Sequence, residues 1–269
     1  MVATSRPKAS ILLIGNELLS GKIRDENGWY LTQVCRRRGI EVREIAVVPD
    51  EIDTIGAALL RLLQEVPLVF TSGGVGPTHD DLTIEAIARA TKRPIVRDAQ
   101  MEAILREHYA GRSTETALRM ADVPEGTKLR ALPGWPVMRL DLEPGEQFEP
   151  HPPLAHAARL YILPGIPALL RSKIETLEGL DGELPDVRDW ALVTLHTRLE
   201  ESRLAPFLDS VVAAFTDVEI GSYPRWDADE SGRLRVRVKV TFESGDPERA
   251  EAARVTLANS LDPADILDE

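Results

Sequence analysis

The sequence predicts an α/β protein in which helices sandwich a mostly parallel sheet, followed by a second, smaller α+β domain. Over residues 1–178, short apolar runs typical of strands buried on both faces alternate with segments of helical spacing. The stretch 179–187 then indicates a linker, and a β-α-β-β-α order follows over 188–269. We therefore predict a first domain at 1–178 and a second at 188–269.

The elements of the first domain are predicted from apolar runs and from the residues that end helices. Residues 10–15 are a continuous apolar run ending in glycine, and a helix at 27–38 ends in three arginines and Gly39, where cations and glycine are favourable. Residues 121–157 contain seven prolines and are predicted to form an irregular arm. The remaining elements are strands at 42–48, 68–71, 137–140 and 160–163 and helices at 49–64, 82–90, 98–109 and 113–120.

The second domain is predicted to hold a three-stranded sheet and two helices. Its strands are expected at 191–197, 218–223 and 234–242, and its helices at 201–215 and 247–260. This order is similar to that of KH domains, but the segment has no Gly-x-x-Gly loop, which argues against RNA binding.

Charge and cysteine content exclude several classes of partner. The formal net charge of -12 repels nucleic acid and anionic lipid, so we expect neither as a partner. The single cysteine, Cys35, can form neither an internal disulfide nor a cysteine-based zinc site. Residues 1–10 lack the apolar core of a signal peptide, and no apolar run approaches the ~18 residues of a membrane span. We expect a cytoplasmic protein.

One glycine-rich loop, Thr71-Ser72-Gly73-Gly74-Val75-Gly76-Pro77-Thr78-His79-Asp80-Asp81, lies between a predicted strand and a predicted helix. Glycines there allow backbone N–H groups to approach a ligand, and the helix N-terminus adds partial positive charge, which together favour a phosphate. The loop matches neither the Walker A motif nor Gly-x-Gly-x-x-Gly, so a structural turn without a ligand remains the alternative.

Asp80 and Asp81 end this loop, and their position allows two interpretations. Thr78 to Asp81 fits a capping-box pattern at the start of a helix. Alternatively, carboxylates beside a phosphate site would repel the ligand unless Mg²⁺ or a similar ion bridges them. The residues alone leave both readings open.

Three further loops are expected at the same edge of the sheet, because each follows a predicted parallel strand. They are Gly15-Asn16-Glu17, with Asn27 nearby, Val48-Pro49-Asp50, and Pro164-Gly165-Ile166-Pro167. Four loops converging on one edge indicate a pocket more strongly than any one of them.

The set of motifs resembles the molybdopterin-binding-like family. The segments that carry the resemblance are Ile14-Gly15-Asn16-Glu17-Leu18-Leu19-Ser20-Gly21, Val48-Pro49-Asp50, Ser72 to Thr83, and Leu163-Pro164-Gly165-Ile166-Pro167. Within the family the chain is similar to the branch of competence/damage-inducible protein A and the N-terminal part of FAD synthase. Residues 188–269 resemble the small domain of that branch, and Gly221-Ser222-Tyr223-Pro224 followed by Trp226 resembles the FAD synthase version.

The resemblance implies a function, a cofactor and a set of site residues. Members of this branch cleave the pyrophosphate of ADP-ribose or FAD with a divalent metal, so a pyrophosphatase using Mg²⁺, Mn²⁺ or Co²⁺ is the expectation. By motif match, Asp50 and Asp81 are the expected catalytic acids, and Asp80 joins them as an expected metal ligand. The expected phosphate-binding residues are Gly15, Glu17, Asn27, Ser72, Gly73, Gly74, Gly76, Thr78, Pro164 and Gly165.

Two alternatives remain, and one stretch departs from the family pattern. The chain can instead bind or adenylylate molybdopterin, or serve as a non-catalytic binding or assembly module. The ligand is expected to be a nucleotide or a pterin, and self-association into a dimer or trimer is expected from the family.

Where competence-type proteins have Asn-Pro-x-Gly-Thr-Ala-Pro-Gly, this chain has Leu132-Pro133-Gly134-Trp135-Pro136-Val137. It also lacks the amidase and adenylyltransferase domains of the two relatives, so neither deamidation nor FAD synthesis is expected.

Overall fold

The computed structural model describes residues 6–110, 112, 114–132, 134–187, 190–228 and 234–267. The chain divides into two compact units, of which one comprises Arg6–Asp186 and the other contains the residues from Val187 onward. Each unit is described by itself.

The first unit is built on a six-stranded sheet of order β2-β1-β3-β8-β7-β6. Strands β2, β1, β3 and β8 run parallel to their neighbours, and β7 and β6 are added antiparallel at one side. The strands of the unit are β1 (Lys8–Ile14), β2 (Glu41–Val48), β3 (Leu68–Ser72), β4 (Ile95–Arg97), β5 (Asp122–Pro124), β6 (Lys128–Arg130), β7 (Val137–Leu142) and β8 (Ala158–Leu163).

Helices cover both faces of this sheet. On one face Leu12 and Val69 pack with Leu59 and Ile87, and on the other face Ile11 packs in a separate core against the remaining helices. Successive residues of a strand point to opposite faces, which is why β1 feeds both cores and reads as a continuous apolar run. The helices are α1 (Asn16–Leu19), α2 (Asn27–Arg37), α3 (Ile52–Glu65), α4 (Thr83–Ala90), α5 (Ala99–His108), α6 (Glu115–Leu118) and α7 (Pro167–Glu178). The predicted sandwich is confirmed.

The proline-rich arm is more regular than predicted. β4 and β5 pair as a two-stranded antiparallel sheet, and β6 pairs with β7 at the sheet edge. The helix predicted at 113–120 is wrong as a single element, because the described part contains only the short α6 and a 3₁₀ turn at Arg119–Ala121. Residue 113 lies outside the described residues.

The segment predicted as a linker at 179–187 packs on the first unit. Leu184 lies in the core on the α2 side of the sheet. The buried Glu183 carboxylate binds Arg139 at 2.8 Å and accepts a hydrogen bond from the Tyr161 hydroxyl at 2.9 Å. Composition suggested a linker, but core packing, ion pairs and hydrogen bonds from Arg38 and Arg159 hold this segment.

The second unit has the predicted β-α-β-β-α order and one strand more than predicted. Its antiparallel sheet has the order β10-β11-β9-β12, and the short β12 pairs with β9. Val238, Val240 and Phe242 form its core with Leu204 and Leu257. Its elements are β9 (Ala191–Thr197), α8 (Glu201–Ala214), β10 (Glu219–Ala228), β11 (Leu234–Ser244), α9 (Pro247–Ser260) and β12 (Ile266–Leu267).

The structure also bears on two expectations from composition, which concern the single cysteine and membrane-spanning segments. Cys35 is fully buried, and burial raises the pKa of its thiol to about 12, an effect that Arg37 only partly opposes. The thiol is therefore a packing residue. In the described part of the chain, no helix is both long enough and apolar enough to cross a bilayer.

Candidate functional site

A cavity of about 1060 Å³ opens at the carboxyl ends of β1, β3 and β8 in the first unit. The predicted residues that line it are Glu17, Asn27, Ser72, Gly73, Gly74, Gly76, Asp81, Pro164 and Gly165. Ligands of open α/β sheets bind at this edge. Three of the four predicted loops therefore meet at one cavity.

Gly73 occupies a position that accepts no side chain. Its φ is +107°, and a Cβ there would lie 2.1 Å from the carbonyl oxygen of Ile14. The loop after β8 also approaches closely, since a Cβ on Gly165 would lie 3.3 Å from the Gly73 Cα. Two glycines thus let the loops after β1, β3 and β8 touch through their backbones.

The backbone N–H groups of Gly74, Val75 and Gly76 donate to no other protein atom in the described part of the chain. The loop is instead held from the helix side, where the Thr83 hydroxyl donates to the Gly73 carbonyl at 2.8 Å and the Thr83 N–H to the Gly74 carbonyl at 3.0 Å. A fixed loop with three free donors at the wall of a cavity suits an anionic ligand.

Asp81 closes the far end of the glycine loop. Its Oδ2 accepts from the Thr78 N–H at 2.8 Å, and the Thr78 hydroxyl lies 2.5 Å from both Asp81 Oδ2 and Asp80 Oδ1. That hydroxyl lowers the pKa of the Asp80 carboxyl. The capping-box reading is wrong about the helix, because α4 begins only at Thr83 and these bonds close a turn before it.

Asn27 joins two of the loops from the start of α2. Its Nδ2 donates to Ser72 Oγ at 3.0 Å and to the Gly165 carbonyl at 2.7 Å, and Ser72 Oγ donates to the Pro164 carbonyl at 3.1 Å. Asn27 is 7% exposed, yet its Oδ1 has no hydrogen-bond partner among the described residues. A buried acceptor of this kind costs free energy unless a ligand or water donates to it.

Glu17 and Asp50 occupy different positions around the loop after β1. The carboxylate of Glu17 lines the cavity and folds over Gly15, where a Cβ would lie 2.5 Å from Glu17 Oε1. The carboxylate of Asp50 does not line the cavity, and it accepts the backbone N–H of Asn16 at 2.8 Å. Asp50 therefore fixes the loop that carries Glu17.

The structure brings nine of the predicted site residues into the lining and leaves four outside it. Those outside are Gly15, Asp50, Thr78 and Asp80. Gly15 and Asp80 are sequence neighbours of the lining residues Ile14 and Asp81, and Thr78 hydrogen-bonds to Asp81. Asp50 hydrogen-bonds to Asn16, which precedes the lining residue Glu17. The sequence places a residue at a sheet edge, but it does not state the direction in which its side chain points.

Sequence reasoning missed one wall of the cavity. This wall is formed by Ile104 and His108 on α5, with Tyr109, Met120 and Trp135. The i,i+4 spacing of Ile104 and His108 puts them on one helix face, but nothing in the sequence marks that face as cavity-lining. Trp135 belongs to the stretch that departs from the family pattern.

Carboxylates outnumber cations around the cavity. Arg24 is the one lysine or arginine among the described lining residues. The acidic lining residues are Glu17, Asp25, Glu26, Asp81 and Glu107. Asp25 accepts the N–H groups of Asn27 and Gly28 at 3.0 Å, and Glu26 pairs with Arg171 at 2.9 Å, so these two have structural partners.

Comparison with known proteins identifies both units. Residues 10–177 match the family described as probable molybdopterin binding domain, and residues 189–269 match the middle domain of FAD synthase. A protein of Metallosphaera sedula is 30% identical over 90% of this chain and 88% of its own length.

Two further relatives place the chain in its branch. A probable FAD synthase of Caenorhabditis elegans is 29% identical over 95% of this chain, and the match spans 50% of that protein. The crystal structure of CinA from Thermoplasma acidophilum, a protein of unknown function, superposes with a TM-score of 0.56 and 27% identity over 65% of this chain and 98% of that one. The resemblance read from the motifs is confirmed.

Proposed function

We propose that this member of the molybdopterin-binding domain family is a metal-dependent pyrophosphatase. The reason is that an acidic cavity beside three free backbone N–H groups suits an anion and a cation bound together. Its substrate is an ADP-containing compound such as ADP-ribose or FAD. The observation that carries this proposal is the set of free donors at Gly74, Val75 and Gly76 next to the carboxylate of Asp81.

The glycine loop binds the phosphates in this proposal. Its N–H groups are held in place by Thr83 before the ligand arrives, so binding requires little ordering of the loop. Asn27 offers its free Oδ1 to a donor on the ligand, such as a ribose hydroxyl.

The acidic lining supports the requirement for a metal. A pyrophosphate brought among Glu17, Asp81 and Glu107 meets like charge that Arg24 alone does not neutralise. In the described part of the chain, no three His, Cys, Asp or Glu side chains are grouped as metal ligands. One or two carboxylates suit Mg²⁺, which takes its other ligands from substrate phosphates and water.

The donor set therefore fits a hard cation, with Asp81 and Glu17 as the residues that would hold it. When bound, Mg²⁺, Mn²⁺ or Co²⁺ would polarise a phosphoryl oxygen and lower the pKa of a coordinated water. Asp50 and Asp80 act indirectly in this proposal. Asp50 fixes the loop of Glu17 by accepting the Asn16 N–H, and Asp80 contacts the same Thr78 hydroxyl as Asp81.

The test is release of AMP from FAD and from ADP-ribose with each of the three metals. We expect release by the natural chain and a loss of at least about 100-fold in Asp81→Asn, since the amide keeps an acceptor for Thr78 but loses the charge. Asp53→Asn is the control, because this carboxylate on α3 is 83% exposed and pairs with Arg89 outside the cavity.

Two results would contradict the proposal. One is a folded natural chain that releases no AMP with any metal. The other is an Asp81→Asn protein that loses activity only through a large drop in melting temperature, which would leave Asp81 a purely structural part of its turn.

A second candidate function is binding or adenylylation of molybdopterin, of which the family description favours binding. It uses the same loop, so the loop does not separate the two. A pterin retained on the purified protein, together with absent AMP release, would select this candidate. Ligand binding by calorimetry without metal or turnover would select a non-catalytic module instead.

A further inference from the structure

We propose that Trp135 and its neighbours on α5 form a ring subsite, in which the planar base or flavin of the substrate stacks on the Trp135 indole. This deepens the proposed function, since it assigns the part of the substrate that the glycine loop does not hold. Trp135 then determines how strongly ring-bearing ligands are preferred over bare sugar phosphates.

The first support is the chemistry of the wall. Ile104, His108, Tyr109, Met120 and Trp135 line the cavity together, and they come from elements outside the main sheet. The lining also includes the glycine loop, several aliphatic residues and the carboxylates of Asp81 and Glu107. The cavity therefore combines backbone donors for phosphates with aromatic side chains that suit a planar ring.

The second support is the way in which Trp135 is held. It packs on a small core formed by Met101, Leu105, Leu118 and Ala121, and it remains only half-buried while lining the cavity. The His108 ring and the indole form a T-shaped pair, with 6.3 Å between centroids and an interplanar angle of 74°. An indole that packs on a core and also lines the cavity presents part of its ring to a ligand.

The third observation is that the Tyr109 ring packs against His108 and holds it in position. The Tyr109 ring stands edge-on to His108 at 5.0 Å and 86°, and Tyr109 packs on the same small core as Trp135. The three rings therefore form one connected set anchored on α5. A volume of about 1060 Å³ has room for a nucleotide that spans from this set to the glycine loop.

The experiment compares ligands with and without an aromatic ring, none of which contains a pyrophosphate to cleave. Binding of AMP, FMN and ribose 5-phosphate is measured by calorimetry with Mg²⁺. Trp135→Ala should weaken the preferred ring compound about tenfold, as expected for loss of one stacked base, and leave ribose 5-phosphate unchanged. Trp135→Phe, which keeps a ring, should lose less than about threefold.

Trp29→Ala is the matched control, because this tryptophan is 68% exposed and lies outside the lining. It should leave the binding of all three ligands unchanged. Preference for AMP or FMN in the natural chain identifies the ring as adenine or flavin. Far-ultraviolet circular dichroism checks that each variant is folded.

Equal weakening of ribose 5-phosphate and the ring compounds by Trp135→Phe would overturn the proposal, and so would unchanged ring binding in a folded Trp135→Ala. A natural chain that binds neither AMP nor FMN would also overturn it. Failure of the pyrophosphatase proposal looks different: ring-dependent binding persists, but FAD and ADP-ribose are not cleaved.

Discussion

Gly73 is the single residue on which the geometry of the cavity depends most closely. At φ +107° a side chain is strained whatever the space, and here a Cβ would also lie 2.1 Å from the Ile14 carbonyl oxygen. Gly73→Ala should therefore destabilise the fold by more than about 2 kcal/mol, a strain of 1–2 kcal/mol plus the clash. It should also displace the neighbouring N–H donors.

Gly21→Ala separates strain from clash. Gly21 has φ +68°, with no atom within 4 Å of an added Cβ, so its substitution should cost only about 1 kcal/mol. Urea unfolding of both variants measures the difference. Equal losses would show that the Gly73 loop shifts freely, which would contradict a preformed phosphate site.

Single residues also mark what the sequence can predict about the site. The glycines and Asn27 were found because their residue types have few roles after a buried strand, and the structure places them in the cavity lining. Asp50 and Asp80 also lie in loops that follow predicted strands, but local donors at Asn16 and Thr78 engage their carboxylates. Such partners are decided by backbone geometry, which composition does not specify.

At the scale of elements, the segment after α7 is held in part by the ion pairs of Glu183 with Arg139 and Arg130. Arg139 on β7 and Glu183 are both buried, and Arg139 also binds Asp141 at 2.9 Å. Arg139→Ala leaves the Glu183 carboxylate buried beside Tyr161 with less compensating charge, so we expect a loss of about 3 kcal/mol in unfolding free energy.

Arg106→Ala is the control for this prediction. Arg106 pairs with Glu102 one turn away on α5, and its side chain is 56% exposed, so its loss should cost about 0.5 kcal/mol or less. Chemical denaturation measures both variants. Comparable small losses would mean that the segment at 179–186 contributes little to the first unit.

Elements differed in how well the sequence predicted them. The parallel strands were predictable because burial on both faces produces continuous apolar runs. β4, β5 and β6 were missed because each has only three residues and forms only by pairing with another strand. The local sequence does not identify that partner strand. β12 was missed for the same reason, since only its pairing with β9 defines it.

At the scale of the whole molecule, all residues that line the cavity lie within Arg6–Asp186. We therefore assign ligand binding to the first unit, and the second unit carries the match to the FAD synthase middle domain. The chain has a formal net charge of -12, and acidic residues also outnumber basic ones in the cavity lining, so we propose that a cation binds together with the phosphates.

The central claim is that the glycine loop donates its free N–H groups to the phosphates of an ADP-containing ligand. The most direct measurement is the amide NMR spectrum of the ¹⁵N-labelled chain during titration with ADP and Mg²⁺. We expect saturable shifts at Gly74, Val75 and Gly76, and unchanged signals at Gly126 and Gly145, which lie outside the lining. Saturable binding that leaves the three loop amides unmoved, or no saturable shift anywhere, would contradict it.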